Sequence, residues 1–231
     1  TDSPSPVEGF RHGYRPHHRW IQLVAITLFF GLTAVLLLQL SLAGLYLSPA
    51  ELSAVALVAC VSGYLFADFS SGVIHWAFDN YGSETLPLIG PAFIRPFRHH
   101  HAAPEDLCHH GFVQLNGNNC LVSLPMFWLA SRPAMSPDGA AVSLGLGLFC
   151  LSTAWCVFGT NQFHAWAHSP QPPGWVARLQ TIGLVLNPEH HSRHHTHPHN
   201  QAYCITSGLM DAAPRCRWSG TGDDGSGWDG T

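Results

Sequence analysis

The stretch WIQLVAITLFFGLTAVLLLQLSLAGLYL, residues 20–47, decides the fold class. It holds no charged residue and is longer than the roughly 20 residues that a helix needs to cross a bilayer. It is also too long for the core of a signal peptide, which has about 7–15 apolar residues. Trp20 and Tyr46, near its two ends, suit the membrane interfaces. We therefore predict a transmembrane helix, preceded by a polar N-terminal segment, residues 1–19.

Further helices follow this first span. Ser48 and Glu51 of the SPAE turn form a predicted capping box that starts a second helix. Residues 140–163 make a clear span, and residues 119–130 are marginal in length. The sequence thus predicts an all-α integral membrane protein with about four transmembrane helices. Its membrane domain would cover residues 20–212, with an interfacial or packing helix at 175–186 and a disordered tail at 213–231.

The arginines predict the orientation in the membrane. Arg11, Arg15 and Arg19 precede the first span, and the loop after that span has no Lys or Arg. The positive-inside rule then puts the N-terminus in the cytoplasm. With four crossings, the chain returns to that side at His75 and again at His164, so a His-rich cap is expected on the cytoplasmic face.

The composition excludes some classes of function. Charged residues make up 10% of the chain, against about 25% in a typical soluble domain. The net charge of −4 argues against a nucleic-acid partner, since such proteins are usually basic. The seven cysteines include no CxxC pair, which argues against a disulfide framework and against a structural zinc site.

Histidine is the outlier, with 17 copies, and the run HHSRHHTHPHN at residues 190–200 is the densest part. One explanation is a solvated low-complexity or pH-responsive surface. The other is a metal centre with ligands from several segments. His75 and Asp79 are spaced i, i+4, as are His164 and His168, so each pair can reach one ion from one helix face. Several such groups at one membrane face favour the metal centre, because histidine at the end of a membrane helix is unfavourable unless paired or ligating.

The number of histidines exceeds what one tetrahedral ion needs, so two ions are expected. Imidazole suits Zn, Cu, Fe and Ni alike. A two-metal histidine site on a membrane protein points to di-iron chemistry with O2 on lipid chains. Breaking an unactivated C–H bond needs a strong oxidant, and oxidisable thiolates would be unsuitable ligands beside it.

Five segments resemble one known family. FADFSSGVIHWAFDNYGS, GPAFIRPFRHHH, NGNNC, GTNQFHAWAH and HHSRHHTHPHNQAYCITSG are similar, in order and spacing, to the plasmanylethanolamine desaturase (CarF or Kua) family, which includes plastid palmitate desaturases that act on phosphatidylglycerol. The resemblance implies a membrane-bound oxidoreductase, a lipid desaturase with two Fe ions, O2 as co-substrate and an electron donor such as cytochrome b5 or ferredoxin. Its ether-lipid branch converts 1-O-alkyl (plasmanyl) phospholipid to the 1-O-alk-1′-enyl (plasmenyl) form, as in plasmalogen biosynthesis.

The resemblance also implies site residues. The catalytic metal ligands would be His75, His100, His101, His164, His168, His191, His194 and His195, and His190 and His199 also fall on family histidines. Asp79, His110 and Asn116 are expected to support ligands, although Asp79 could itself bind iron. Arg95 and Arg98 are expected either to bind lipid phosphate or to serve only as a positive-inside signal.

Alternatives remain at this stage. Within the enzymes, these are an acyl-chain desaturase acting on phosphatidylglycerol and a lipid hydroxylase. Outside them stand an inactive relative and a membrane metal-binding or transport protein, although transporters place their ligands near the bilayer midplane rather than at the ends of spans. The sequence is equally compatible with a histidine cap on the cytoplasmic face of a bacterial inner membrane and on that of the endoplasmic reticulum.

Overall fold

The computed structural model describes residues 16–87, 89–132 and 138–212, and every regular element in these ranges is helical. The prediction of an all-α protein is therefore confirmed. The expected disordered tail and most of the polar N-terminal segment lie outside the described residues. Short π and 3₁₀ turns cover Gly90–Ile94, Pro104–His109 and Leu209–Ala212. The α-helices are α1 Pro16–Gly44, α2 Pro49–Asn80, α3 Arg95–Ala102, α4 Phe112–Ala130, α5 Ala140–His168, α6 Gly174–Thr181 and α7 Pro188–Ser192.

Three of the described helices, α1, α2 and α5, are long and apolar enough to cross a membrane. The turn between α1 and α2 has the predicted capping box, in which the backbone N–H of Ser48 donates to the Glu51 carboxylate at 2.9 Å. Their exposed surfaces are rich in large apolar side chains, as lipid-facing helices require. The chain is thus an integral membrane protein.

The fourth predicted span corresponds to α4, which begins at Phe112 and not near residue 119. Its 19 residues give a length of about 28 Å, close to the hydrocarbon thickness of a bilayer. It runs parallel to α1: Gly117 packs against Gln22 near one end, and the Phe127 ring contacts Phe29 at 5.3 Å further along. Although α4 is less apolar than the other three, it lies beside α1 over most of its length.

The helices α2 and α5 form a parallel pair that carries the histidines to one end. Ser152 Oγ donates to the Cys60 carbonyl at 2.8 Å, and Thr153 Oγ1 donates to the Gly63 carbonyl at 3.2 Å. A side chain at Gly63 would collide with the α5 backbone, so this glycine permits the close approach. Because the two helices run in the same direction, their C-terminal ends meet at one face of the helix bundle.

Candidate metal centre

Four parts of the chain bring eight histidines and one aspartate to this face. The ends of α2 and α5 supply two pairs at i, i+4 spacing, α3 supplies two neighbouring residues, and α7 with the turn after it supplies three more. Their side-chain donors form two groups, and in each group the donor atoms lie within 4.8 Å of one another. The first group is His100, His164, His168, His191 and His195, and the second is His75, Asp79, His101 and His194.

In the first group, ring nitrogens face one another. His191 Nε2 lies 2.8 Å from His164 Nε2 and 3.1 Å from His195 Nε2, which in turn lies 3.1 Å from His100 Nε2. A ring nitrogen carries either one hydrogen or one lone pair, so it cannot make good hydrogen bonds to two such neighbours. His168 Nε2 is buried without a hydrogen-bond partner among the described residues. A cation between these nitrogens would use all the lone pairs at once.

The second group is centred on a carboxylate. Asp79 Oδ2 lies 3.2 Å from His101 Nε2 and 3.4 Å from both His75 Nε2 and His194 Nε2. His75 is completely buried, and its Nε2 has no hydrogen-bond partner among the described residues. The sequence favoured a supporting role for Asp79. In the structure, its Oδ2 is one of the four donor atoms that converge in this group.

The two groups adjoin. His100 and His101 are neighbours in α3 but belong to different groups, as do His194 and His195 after α7. Rings of the two groups approach to 5.5 Å between the centroids of His101 and His195. The arrangement therefore has room for two ions side by side, one with five nitrogen donors and the other with three nitrogens and one oxygen.

A buried segment behind the second group fixes its ring orientations. The strap, defined here as residues 201–210, supplies two backbone carbonyls to histidine Nδ1 atoms. His75 Nδ1 donates to Tyr203 O at 3.1 Å, and His194 Nδ1 donates to Gln201 O at 2.9 Å. Because Nδ1 carries the hydrogen in each ring, Nε2 keeps its lone pair and points into the group, as a ligand must.

The strap is in turn held by the spans. Asp68, which is fully buried on α2, accepts hydrogen bonds from the backbone N–H groups of Ser207, Gly208 and Met210 at 2.7, 3.1 and 2.9 Å. Thr206 bonds to Thr160 of α5 at 2.8 Å. Asp68 was not among the predicted site residues, although an acidic residue within an apolar span is itself a signal of function.

Burial keeps several imidazoles of the first group in the neutral form that binds metal. Desolvation lowers the pKa of His195 to about 3, with further lowering from nearby histidines. The same two causes, burial first, hold the pKa values of His100 and His191 well below the usual value. Rings that stay neutral at physiological pH present lone pairs to a cation without first losing a proton.

Two predicted ligands lie outside both groups. His190 Nε2 is 3.1 Å from a carboxylate oxygen of Asp211, which also accepts a hydrogen bond from the backbone N–H of Cys204 at 3.0 Å. His199 Nδ1 donates to the carbonyl of His194 at 2.8 Å. Both histidines therefore hold the loop that carries the donors of the two groups, and sequence spacing alone did not separate them from those donors.

The remaining predicted residues have other surroundings. Arg98 donates from Nε to Phe78 O and from Nη2 to the carbonyls of Tyr81 and Gly82, all at 3.1 Å. These contacts use Nε and Nη2 of the guanidinium to cap the end of α2, and the binding of a lipid phosphate by Arg98 stays a prediction.

Arg95 is paired with Glu84 at 3.5 Å and is partly exposed. Asn116 is buried in α4 and donates to Phe112 O at 3.0 Å, while its Oδ1 has no partner among the described residues. His110 follows the 3₁₀ turn, and burial lowers its pKa. None of these three residues belongs to either donor group.

The donor set fits iron. Eight imidazoles and one carboxylate are nitrogen and oxygen donors of the kind that iron accepts, together with zinc, copper and nickel. None of the free cysteines in the described part of the chain joins either group. A thiolate-free site of this kind is compatible with strongly oxidising chemistry.

Comparisons with known proteins identify the family of this chain. The lipid desaturase domain profile matches residues 64–214. The chain is 44% identical over 202 residues to the plasmanylethanolamine desaturase of Myxococcus xanthus, covering 86% of this chain and 68% of that protein. It is 38% identical over 205 residues to plasmanylethanolamine desaturase 1 of Mus musculus, covering 86% and 73%.

A plant relative is more distant. Identity to the chloroplastic fatty acid desaturase 4 of Arabidopsis thaliana is 34% over 197 residues, covering 84% of this chain and 56% of that protein. No solved structure matches the chain significantly.

Proposed function

The chain belongs to the lipid desaturase domain family, and from this premise we propose that it converts 1-O-alkyl phospholipid to 1-O-alk-1′-enyl phospholipid. It is a membrane oxidoreductase of the desaturase class. The plasmanyl substrate is supported by two relatives named plasmanylethanolamine desaturase, which the chain matches over most of its length. We assign the whole region 20–212 to this one domain, since α1 packs against both α4 and α5.

The observation that carries the proposal is the position of the two donor groups. They lie at the C-terminal ends of the spans α2 and α5, beside apolar, lipid-exposed residues such as Ile74. At the end of a span, a reactive centre is level with the head groups and the first carbons of a lipid chain. The bond next to an ether oxygen lies in that layer, whereas a bond in the middle of a chain lies deeper.

We propose two iron ions as the cofactor and O2 as the co-substrate. When bound, the iron ions activate O2 and supply the oxidising power to remove two hydrogens from the lipid chain. The balance is fixed: one C=C bond forms, and O2 becomes two water molecules. O2 takes two hydrogens from the lipid and two electrons and two protons from outside, the electrons from a donor such as cytochrome b5 or ferredoxin.

The residues of this chain would have distinct roles. The eight histidines of the two groups bind the ions as neutral imidazoles, and Asp79 binds as the anionic donor of the second group. The strap orients His75 and His194 through backbone carbonyls. Burial of His75 and His191 would keep water away from the bound ions, which protects oxidising chemistry from side reactions.

We propose that the histidine face is cytoplasmic, in a bacterial inner membrane or the endoplasmic reticulum. The arginines before α1 support this orientation through the positive-inside rule. A second candidate reaction is desaturation of an acyl chain of phosphatidylglycerol. It is favoured by the similarity to a plant protein named fatty acid desaturase 4.

The test is a lipid analysis in cells that contain 1-O-alkyl phospholipid but no plasmanyl desaturase. The native chain is expressed beside His191→Ala, which removes a buried donor, and His197→Ala, which removes an exposed histidine outside both groups. Acid-labile vinyl-ether lipids should form with the native chain and with His197→Ala, and not with His191→Ala.

Other outcomes separate the rivals. New double bonds in the acyl chains of phosphatidylglycerol would show that the substrate is an acyl lipid and not an ether lipid. A hydroxylated chain would identify a hydroxylase. Metal without any lipid product would favour a metal-binding or transport protein. A purified chain without metal or product would favour an inactive relative.

A further inference from the structure

The turn between α6 and α7, residues 182–187, reaches the middle of α2. Tyr64 Oη donates to the backbone carbonyl of Leu184 at 3.0 Å. Tyr64 precedes His75 by eleven residues on the same helix, which is about 16 Å along the axis. Because α2 is a membrane span, the carbonyl that Tyr64 contacts lies beside the middle of that span and not beside its histidine end.

The surface of this turn resembles the lipid-facing surface of the spans. Ile182 is 67% exposed and Leu184 is 49% exposed, and Leu57 in the first half of α2 is also 67% exposed. Trp175, at the start of α6, is 58% exposed. No charged residue occurs from residue 179 to residue 188. Such side chains are unfavourable in water and favourable among acyl chains.

The backbone of the turn is prepared for an apolar environment. Gly183 has a φ of 74°, which ends α6 at Thr181 rather than near residue 186, as the sequence had suggested. The N–H groups of Gly183 and Leu184 donate to Gln180 O and Leu179 O at 3.2 and 2.9 Å, which is the bonding of a Schellman turn.

Two further N–H groups beside this turn have partners as well. Ile182 donates to Arg178 O at 3.2 Å, and Leu186 donates to Thr206 O of the strap at 3.0 Å. Irregular backbone is tolerated at membrane depth only where its polar groups are satisfied in this way.

We propose that residues 175–186 form a re-entrant element that inserts into the leaflet bordering the histidine face, with Ile182 and Leu184 among phospholipid acyl chains. The proposal does not depend on the reaction that the protein catalyses. It implies that α7, which carries His191 and begins four residues after Leu184, is anchored from within the bilayer. The exposed Arg178 is the only charge of the element, and its long side chain can reach the head groups.

The test uses nitroxide spin labels on the full chain in vesicles of phosphatidylethanolamine and phosphatidylglycerol. Labels are attached at Ile182→Cys, at Val58→Cys as a span control and at Glu189→Cys as a control in water, in a background without native cysteines. Val58 is 66% exposed on α2, and Glu189 is exposed on α7. The measurement is the ratio of collisions with O2 to collisions with a water-soluble nickel complex.

We expect the ratio at position 182 to approach that at position 58 and to exceed that at position 189 several-fold. A ratio like that at position 189 would place the turn in water and overturn the proposal. A second measurement keeps the native cysteines: Trp175→Phe should remove a tryptophan signal that brominated lipids quench. If the signal that Trp175→Phe removes is quenched by aqueous acrylamide and not by brominated lipids, the proposal is also overturned.

Discussion

Replacing Asp68 with asparagine should weaken metal binding, although Asp68 belongs to neither donor group. Its carboxylate holds the strap through three backbone N–H groups, two on Oδ1 and one on Oδ2. The strap in turn supplies the carbonyls that orient His75 and His194. Asparagine has nearly the same shape, so the substitution tests the hydrogen bonds and the charge rather than the packing.

The magnitude follows from counting these bonds. In its better orientation, the amide oxygen of asparagine still accepts from Ser207 and Gly208, while its NH2 group faces the N–H of Met210. One buried N–H is left unsatisfied, at about 1–3 kcal/mol, and two charge-assisted bonds become neutral ones. Together these losses amount to about 3 kcal/mol. Outer partners of metal ligands are typically worth 10–100-fold in affinity. A loss of about 3 kcal/mol limits the decrease in metal affinity to roughly 150-fold.

The assay is a metal titration of the purified protein in detergent, with a thermal unfolding curve for each variant. Asp68→Asn should show a lower Tm and a metal affinity reduced 10–100-fold. Glu105→Gln is the control, since Glu105 is exposed and lies outside both groups. An Asp68→Asn variant that melts and binds metal like the native chain would refute the role given to the strap.

Three further predictions concern ligands, packing and capping. His101→Ala and His168→Ala each remove one donor from a different group, so elemental analysis should find less metal in both variants. The control variant His197→Ala should keep the metal content of the native chain. Full metal content in His101→Ala or His168→Ala would contradict the grouping. A Cβ at Gly72 would lie 2.6 Å from Cys204 Sγ, so Gly72→Ala should destabilise the fold by about 1–3 kcal/mol in thermal melts. Cys204→Ala in the same chain should recover most of that stability. If it does not, the contact with Cys204 is not the cause of the loss. Arg98→Lys should lower the Tm nearly as much as Arg98→Met, because an ammonium cannot reproduce the forked contacts with three carbonyls; a lysine variant as stable as the native chain would argue against the capping role.

The sequence predicted the helices and most residues of the two donor groups because both depend on short-range periodicity. A long uncharged run must be a helix in a bilayer, because only a helix pairs all the backbone hydrogen-bonding groups of a single segment within that segment. Pairs such as His75 with Asp79 follow from the i, i+4 geometry of one helix. Their meeting at one face follows from the number of crossings.

The division into two groups could not be predicted in the same way. His100 and His101 are adjacent, and so are His194 and His195, yet each pair is split between the groups. Adjacent residues on a helix point about 100° apart, so the split depends on how α3 and α7 are rotated against the spans. That rotation is a property of tertiary packing and leaves no periodic signal in the sequence.

The strap was missed for a different reason. The partners of Asp68 are backbone N–H groups, and every residue other than proline has one. Nothing in the letters of residues 201–210 indicates that they lie against α2. The one available signal was the charge itself, because a carboxylate inside an apolar span needs hydrogen-bond donors at close range.

The strap also explains how the site can be assembled before metal binds. The donor groups alone are a poor framework, because ring nitrogens that face one another at about 3 Å lack matching hydrogens. The bonds from the strap to Asp68 and Thr160 do not involve the donor atoms, so they hold α2 and α5 together independently of metal. Loss of a ligand should therefore remove metal and leave the fold intact, whereas loss of Asp68 should weaken both. Measuring metal content and Tm on the same variants separates a donor from a residue that acts through the frame.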